Sequence, residues 1–186
     1  MKIGTILSSK GRDYFYIMHL SYNGQNREEL WNYAKKNRVI GLDSPRIVRD
    51  NWLKVRESAT KGLGKIWTKQ FDIVCSELHT GDIILAIHGW DSLLGVAEIS
   101  KPTHEYDRNL SKTGVFFDHT REVNWIKAYE YSDRQVLPKP LEGFNNTISK
   151  VSSSSPRWSI LTNLNISNGN EAKETETDRK LTRSLS

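Results

Sequence analysis

Two apolar runs separated by a short polar turn constrain the fold of this chain more than any other feature. The first run is Ile83–His88 (IILAIH), the second covers residues 93–99 (LLGVAEI), and the four residues between them are GWDS. Strand-forming residues on both sides of a glycine-containing turn are typical of a β-hairpin. The segment therefore predicts a pair of antiparallel strands in the middle of the chain.

Helical patterns precede this hairpin. Asn26 can cap a helix, with Glu29 as its reciprocal partner, and Ser44 followed by Pro45 is a second helix start. Thr68 can cap a third helix, in which apolar residues recur at helical spacing. The three helices are predicted over residues 26–37, 44–62 and 68–78.

Further apolar and aromatic runs complete the secondary-structure prediction. Strands are predicted over residues 14–21, 38–43 and 122–131, with a loop over 105–117 and a last strand or helix over 157–164. The mixture indicates an α+β fold, with a curved or barrel-like sheet and helices packed outside it.

The composition changes near residue 164. Residues 165–186 contain no aromatic side chain and are rich in Glu, Lys, Thr, Ser and Asn. Such a segment buries too little apolar surface to fold by itself. We expect one domain over residues 1–164 and a flexible polar tail or linker over 165–186.

Charge and cysteine content indicate which partners and which cellular compartment suit this chain. Lys and Arg outnumber Asp and Glu by 27 to 22, and a net charge of +5 permits a polyanionic partner without requiring one. The single cysteine, Cys75, cannot form an internal disulfide, which suits a reducing compartment. No apolar stretch reaches the length of a membrane span, and the N-terminus lacks a signal-peptide profile. We expect a cytoplasmic protein without membrane contact.

Two segments resemble the PUA-like superfamily, in particular its EVE and YTH branches. Residues 65–102 place a tryptophan, a helix, an apolar strand, a short turn and a return strand with the sequence GVAE in the order of YTH domains. Residues 119–126 (HTREVNWI) resemble the Val-x-Trp strand shared by YTH and EVE-like domains. The resemblance implies a PUA-like pseudo-barrel that binds nucleic acid, with DNA favoured and RNA possible.

Residues 26–64 depart from the YTH pattern. This insert carries two predicted helices and resembles the EVE-like N-terminal domains of McrB-type restriction ATPases. That resemblance implies a specificity module that reads a modified, flipped base, with an AAA+ motor as partner beyond the polar tail. The chain contains no Walker A motif, so no NTPase activity is expected.

An aromatic pocket would read the base by stacking, which contributes about 1–3 kcal/mol per base. Trp67 matches the YTH tryptophan that forms one wall of the pocket, although it could instead anchor a helix in the core. Asp43 could accept a hydrogen bond from an exocyclic amine or cap a helix. The base-pocket candidates are Trp67, Trp90, Tyr106, Phe117 and Asp43, with Phe116 as an alternative to its neighbour.

Basic residues crowd the second predicted helix and the start of the third. They could bind phosphates or form an ordinary solvated face. The phosphate-binding candidates are Arg46, Arg49, Lys54, Arg56, Lys61, Lys65 and Lys69. Among the other tryptophans, Trp52 and Trp125 are expected in the core, whereas the pattern leaves Trp31 unplaced.

Enzymatic interpretations have less support in the sequence. The five histidines show no zinc-ligand spacing, paired deaminase cysteines are absent, and no cofactor or metal is expected. A nuclease using Asp82 and Glu98, or an acid–base pair of His119 and Glu122, has no motif to support it. The alternatives are therefore a PUA-like RNA-binding domain without base flipping and a metal-dependent nuclease, and we expect a binding module rather than an enzyme.

Overall fold

The computed structural model describes residues 1–20, 27–42, 48, 50–108, 117–141 and 146–166. The strands of the described residues are β1 (Tyr14–His19), β2 (Val39–Leu42), β3 (Ile83–His88), β4 (Ser92–Tyr106), β5 (His119–Ala128), β6 (Gln135–Val136) and β7 (Ile148–Ser152). These seven strands form one sheet in the order β2-β5-β4-β3-β1-β7, with β6 paired to β4. β1 and β3 are parallel, and the other pairs are antiparallel.

Helices flank the sheet. The predicted α+β fold with a curled sheet and outer helices is confirmed, and so is the β3–β4 hairpin. Within the described residues, no helix is long and apolar enough to span a membrane. The helices are α1 (Ile3–Ser9), α2 (Arg27–Asn37), α3 (Trp52–Leu63), α4 (Lys65–Asp72), a π-helical turn (Ile73–Glu77), a 3₁₀ turn (Tyr131–Asp133) and α5 (Trp158–Thr162).

Strand β4 organises the sheet, because it pairs with β3, β5 and β6 along its 15 residues. Its register against β5 shifts twice, and such irregularities bend a strand and increase its twist. Gly95 lies in its first half, where a Cβ atom would be 2.7 Å from the Lys127 carbonyl oxygen and 2.9 Å from the Trp31 ring. Because glycine has no side chain, the Trp31 ring of α2 can pack closely against the sheet at this position.

Alternating side chains of the sheet pack into two hydrophobic cores, one on each face. On β1, Tyr16 and Met18 belong to the core covered by α2, α3, α4 and the π-helical turn, whereas Phe15 and Ile17 belong to the other. The second core includes residues of α1 and α5. Helix α1 was not predicted from the sequence, although its three buried residues, Ile3, Ile6 and Leu7, follow helical spacing within only seven residues.

Several predicted boundaries differ from those of the structure. The start predicted at Ser44-Pro45 lies outside the described residues; among the residues that are described, the second predicted helix begins after Asn51, whose side chain accepts a hydrogen bond from Leu53 N at 3.0 Å and so caps the helix there. Thr68 does not cap α4, because its hydroxyl donates to the Gly64 carbonyl inside the first turn.

Strand β4 continues to Tyr106, where a loop was predicted from residue 105, and β5 spans His119–Ala128 where a strand was predicted over residues 122–131. The ambiguous segment 157–164 contains the short helix α5. Asn165 bridges Lys2, and Ile166 N donates to the Met1 carbonyl at 2.8 Å, so the chain is still attached to the domain at this point. Residues 167–186 lie outside the described part, and the flexible tail stays a prediction.

Candidate functional site

Tyr106 and Phe117, two of the five base-pocket candidates, lie at the end of the sheet where β5 pairs with both β4 and β2. Tyr106 ends β4 and pairs with His119, and the two ring centroids are 4.7 Å apart. Phe117 is buried in the core beside Gly41. Leu42 also pairs with His119. Asp43 and Phe116 lie outside the described residues.

His119 is the centre of an aromatic group, here called the His119 cluster: Trp52, Phe71, His104, Tyr106 and His119. Phe71 packs edge-on against His119 at 5.2 Å and stacks on Trp52 at 4.9 Å, while the ring of His104 stacks on that of His119 at 5.9 Å. These contacts join α3, α4, β4 and β5 through ring faces and edges. The motif residue His119 therefore has a packing role that its sequence context did not reveal.

Hydrogen bonds fix the His119 ring. Its Nε2 accepts from Trp52 N at 3.2 Å, so the neutral ring carries its proton on Nδ1, which donates to Asp118 Oδ1 at 3.1 Å. Burial lowers the pKa of His104 to about 4, and the neighbouring His119 and Arg121 act in the same direction. His104 is therefore neutral at physiological pH.

Sulfur and imidazole donors converge beside this cluster, although the sequence predicted no metal site. One ligand atom from each of Cys75, His104 and His119 lies within 4.8 Å of the other two, a donor set that suits zinc. Both nitrogens of His119 are already hydrogen-bonded to Trp52 and Asp118, so this ring does not fit a ligand role as it stands. Burial raises the pKa of the Cys75 thiol to about 12.

Arg121, the basic residue of the HTREVNWI segment, is buried. Its Nη1 donates to the Val74 carbonyl at 3.2 Å, and its Nη2 donates to the Lys101 carbonyl at 2.9 Å. It therefore ties the π-helical turn to β4. The resemblance to YTH and EVE-like domains singled out the segment that contains Arg121, but it did not predict these two hydrogen bonds.

Trp67 lies on the exposed surface of α4 rather than in the core. Its side chain is 41% exposed, the neighbouring Ile66 is 65% exposed, and Lys65 and Lys69 are exposed on the same helix. The helix thus presents an apolar and aromatic pair between two lysines.

A cleft of about 430 Å³ separates α4 from the start of β7. Gln70 forms part of its wall, and Gln70 Oε1 accepts from Thr147 N at 2.6 Å and from Ile148 N at 3.3 Å. Trp67 is the neighbour of this wall rather than part of it. The cleft is lined by Lys65, Ile66, Lys69, Gln70, Ile73, Glu77, Asn146, Ile148, Ser149 and Lys150.

Lys150 is a cleft residue that sequence reasoning missed. It pairs with Tyr16 across the β1–β7 contact, and its Nζ lies 3.8 Å from the ring centroid of Tyr14. Only the pairing of β7 with β1 brings it to α4. No strand was predicted at residues 148–152, so the sequence carried no signal for its position.

The phosphate-binding candidates divide into four groups. Lys54 and Lys61 are exposed on α3, Lys65 and Lys69 line the cleft, and Arg46 and Arg49 lie outside the described residues. Arg56 instead donates from Nε and Nη2 to the two oxygens of Asp72, at 2.7 and 2.8 Å, which lowers the pKa of that carboxyl group. Its position favours a structural role between α3 and α4.

Trp90 is not brought together with the other pocket candidates. It lies in the β3–β4 turn, next to the start of β4, whereas Tyr106 ends that 15-residue strand. Its side chain is 46% exposed, and its carbonyl oxygen accepts from Leu141 N at 2.7 Å.

The remaining tryptophans belong to the interior. The core positions predicted for Trp52 and Trp125 are confirmed, the latter as a partly buried ring. Trp31, which the sequence left unplaced, is fully buried, and its Nε1 donates to the Tyr129 carbonyl at 2.9 Å. Trp31 and Trp125 pack edge to face at 4.9 Å.

The carboxylates considered for catalysis all have protein partners. Asp82 is fully buried and accepts from the Tyr14 hydroxyl at 2.8 Å and from His79 N at 2.9 Å. Glu98 pairs with Lys10 at 2.7 Å, and the Glu122 carboxylate accepts from Lys101 and Ser100. These contacts give each carboxylate a structural role.

The chain matches no curated protein. Among solved structures, it is similar to the YTH domain of the Zygosaccharomyces rouxii MRB1 protein in complex with N6-methyladenosine RNA, with 19% identity, coverage of 74% of this chain and 78% of that chain, and a TM-score of 0.37.

A family model matches residues 18–148, which run from β1 to the first residue of β7 and include the His119 cluster and α4. The matched segment is well over half of the chain. The chain therefore belongs to the family described as Domain of unknown function (DUF8426).

Proposed function

We propose that this protein is a nucleic-acid-binding module that holds a strand along α4. One observation carries the proposal: the exposed ring of Trp67 and the exposed Ile66 lie between Lys65 and Lys69 on one helix, beside a cleft of about 430 Å³. A base can stack on an aromatic face while neighbouring lysines neutralise its phosphates.

The charge and the lining of the cleft suit a ligand that is a polyanion with apolar parts. Lys65, Lys69 and Lys150 line it against one carboxylate, Glu77. Its volume lies in the range of small-molecule sites, which suits one nucleotide rather than a folded partner. The amide of Gln70 is used by the backbone of β7, so base-edge hydrogen bonds would come from Asn146 and Ser149.

The finer proposal is that the domain is PUA-like and reads a modified base that has been flipped out of duplex DNA. It is supported by the resemblance of residues 65–102 and 119–126 to YTH and EVE-like domains. Through residues 26–64, the resemblance extends to the specificity domains of McrB-type restriction systems, in which an AAA+ motor would follow the tail. Flipping costs a few kcal/mol, which an enclosing aromatic pocket offsets.

A second candidate is binding of single-stranded RNA or DNA without flipping. It is favoured by the position of Ile66 and Trp67, which are exposed on the surface of a helix rather than enclosed. An open aromatic surface stacks on bases that are already unpaired.

The test is a titration of labelled duplexes containing N6-methyladenine, 5-methylcytosine or no modification, together with matched single-stranded RNA, at several salt concentrations. The variants are Trp67→Ala, Trp67→Phe and the control Val136→Ala, which removes an exposed apolar side chain from β6. We expect Trp67→Ala to weaken binding about tenfold, because a lost stacking contact costs about 1–3 kcal/mol, and Trp67→Phe to retain most of the affinity.

Preference for one modified duplex, lost in Trp67→Ala, supports the flipped-base proposal. Equal binding of all unpaired strands, again dependent on Trp67, supports the second candidate. If Trp67→Ala and Val136→Ala bind every ligand as the wild type does, the proposed use of α4 is wrong.

A further inference from the structure

Three buried side-chain nitrogens near the β3–β4 turn have no hydrogen-bond partner in the described part of the protein: Arg27 Nε, His88 Nδ1 and Arg134 Nε. Arg27 is the first residue of α2, His88 ends β3, and Arg134 follows the 3₁₀ turn. Buried polar atoms are paired in most proteins, so three unpaired nitrogens in one region need an explanation.

Tyr131 organises this group. The ring of His88 lies 5.4 Å from the Tyr131 ring, and the guanidinium carbon of Arg134 lies 5.0 Å from the same ring centroid. Arg134 Nη1 also donates to the Tyr131 carbonyl at 2.8 Å, which holds the guanidinium in place. The arginine is therefore positioned while its Nε remains unused.

The group carries an excess of positive charge. Burial lowers the pKa of His88, and the charges of Arg27 and Arg134 lower it further, so both guanidinium groups act on the same imidazole. Asp91 acts in the opposite direction, but its Oδ1 accepts from Ser92 Oγ at 2.7 Å. Within the described residues, neither arginine has a carboxylate within ion-pair distance.

An anion with several acceptor oxygens matches these donors. Guanidinium groups bind phosphate oxygens through parallel N–H donors, and a neutral histidine can donate from Nδ1. Trp90, in the same hairpin as His88, presents a ring that is 46% exposed. An aromatic face beside a phosphate-binding group is what a nucleotide requires.

We propose that Arg27, His88 and Arg134 form a phosphate-binding site that holds a phosphodiester of the bound strand next to Trp90. This inference rests on the proposed function, because it assigns the strand a second point of contact. It also gives Trp90 a role that does not require it to share a pocket with Tyr106 and Phe117. The sequence candidates for phosphate binding lay on other helices and included none of these three residues.

The first arm of the test measures the anisotropy of a short fluorescein-labelled single strand of mixed sequence bound to the full chain at several salt concentrations. Arg27→Gln and Arg134→Gln should each weaken binding about tenfold, equally for all sequences, and reduce the salt slope by about one. Arg134→Lys, which keeps the charge but lacks the planar donor group, should fall in between. Lys36→Ala is the matched control, since it removes an exposed cation from the same helix as Arg27.

The second arm follows the ring resonances of His88 by NMR while inorganic phosphate is added, and a thermal melt of each variant identifies loss of folding. If the strand binds and the arginine variants match Lys36→Ala, this site is wrong and the proposed function stands. If the wild type binds no strand, the proposed function fails, and the titration with inorganic phosphate decides whether the anion site exists. A phosphate-dependent shift of His88 that Arg134→Gln abolishes then supports the anion site, and no shift overturns it.

Discussion

Replacing Gln70 with leucine should detach the start of β7 from α4. Gln70 is buried, and its side-chain oxygen is the acceptor for Thr147 N at 2.6 Å and Ile148 N at 3.3 Å. Leucine has a similar volume but no acceptor, so both backbone N–H groups lose their partner. An unsatisfied buried donor costs about 1–3 kcal/mol, and because one of the two bonds is long we expect a loss of about 2–4 kcal/mol in the free energy of unfolding.

Urea denaturation followed by tryptophan fluorescence measures this loss. The midpoint should fall while the slope of unfolding free energy against urea stays unchanged, and the melting temperature should fall by about 5–15 °C. Lys69→Leu, at an exposed position on the same helix, should change stability by less than about 0.5 kcal/mol. A Gln70→Leu variant as stable as Lys69→Leu would show that this oxygen does not hold β7, and the description of the cleft wall would be refuted.

Two further predictions concern packing and protonation. Gly95→Ala should lower the free energy of unfolding by about 1–3 kcal/mol, because the added Cβ would lie 2.7 Å from the Lys127 carbonyl oxygen and 2.9 Å from the Trp31 ring. Urea denaturation measures this loss, and an unchanged midpoint would contradict the close approach of α2 to the sheet. His104 has a pKa lowered from 6.5 to about 4, chiefly by burial and then by His119, so between these pH values the unfolded chain binds a proton that the folded chain does not. Stability should therefore rise with pH across this window, and in His104→Phe the rise should be smaller when melting temperatures are compared from pH 4 to pH 7.

Several elements were predictable because their signals are local. The β3–β4 hairpin follows from two apolar runs and a turn, and α2 follows from its helical spacing. The start of α3 was not predictable in the same way. Its first residue, Trp52, stacks on Phe71 and donates its backbone N–H to His119, so contacts with other elements fix the position of this helix.

The candidate site was predictable in part. Trp67 could be named because it matches the tryptophan of the YTH pattern, and Lys65 and Lys69 could be named because basic residues crowd this part of the sequence. Lys150 and Arg134 could not be named: Lys150 comes close to Tyr14 through the β1–β7 pairing, and Arg134 comes close to His88 through the ring of Tyr131, which both of them contact. Arg56 and His119 were visible as charged and motif residues, but their partners Asp72 and Trp52 come from other elements.

The sequence by itself determined the fold class, the positions of most helices and strands, and the mild excess of positive charge. These depend on hydrophobic periodicity and composition, which act between residues close together in the chain. The tertiary structure decided which faces are covered and which side chains meet. It placed His119 against Trp52, joined Lys150 to α4 and left Arg27, His88 and Arg134 with unpaired nitrogens, because the bends of β4 and the β1–β7 pairing bring remote segments together.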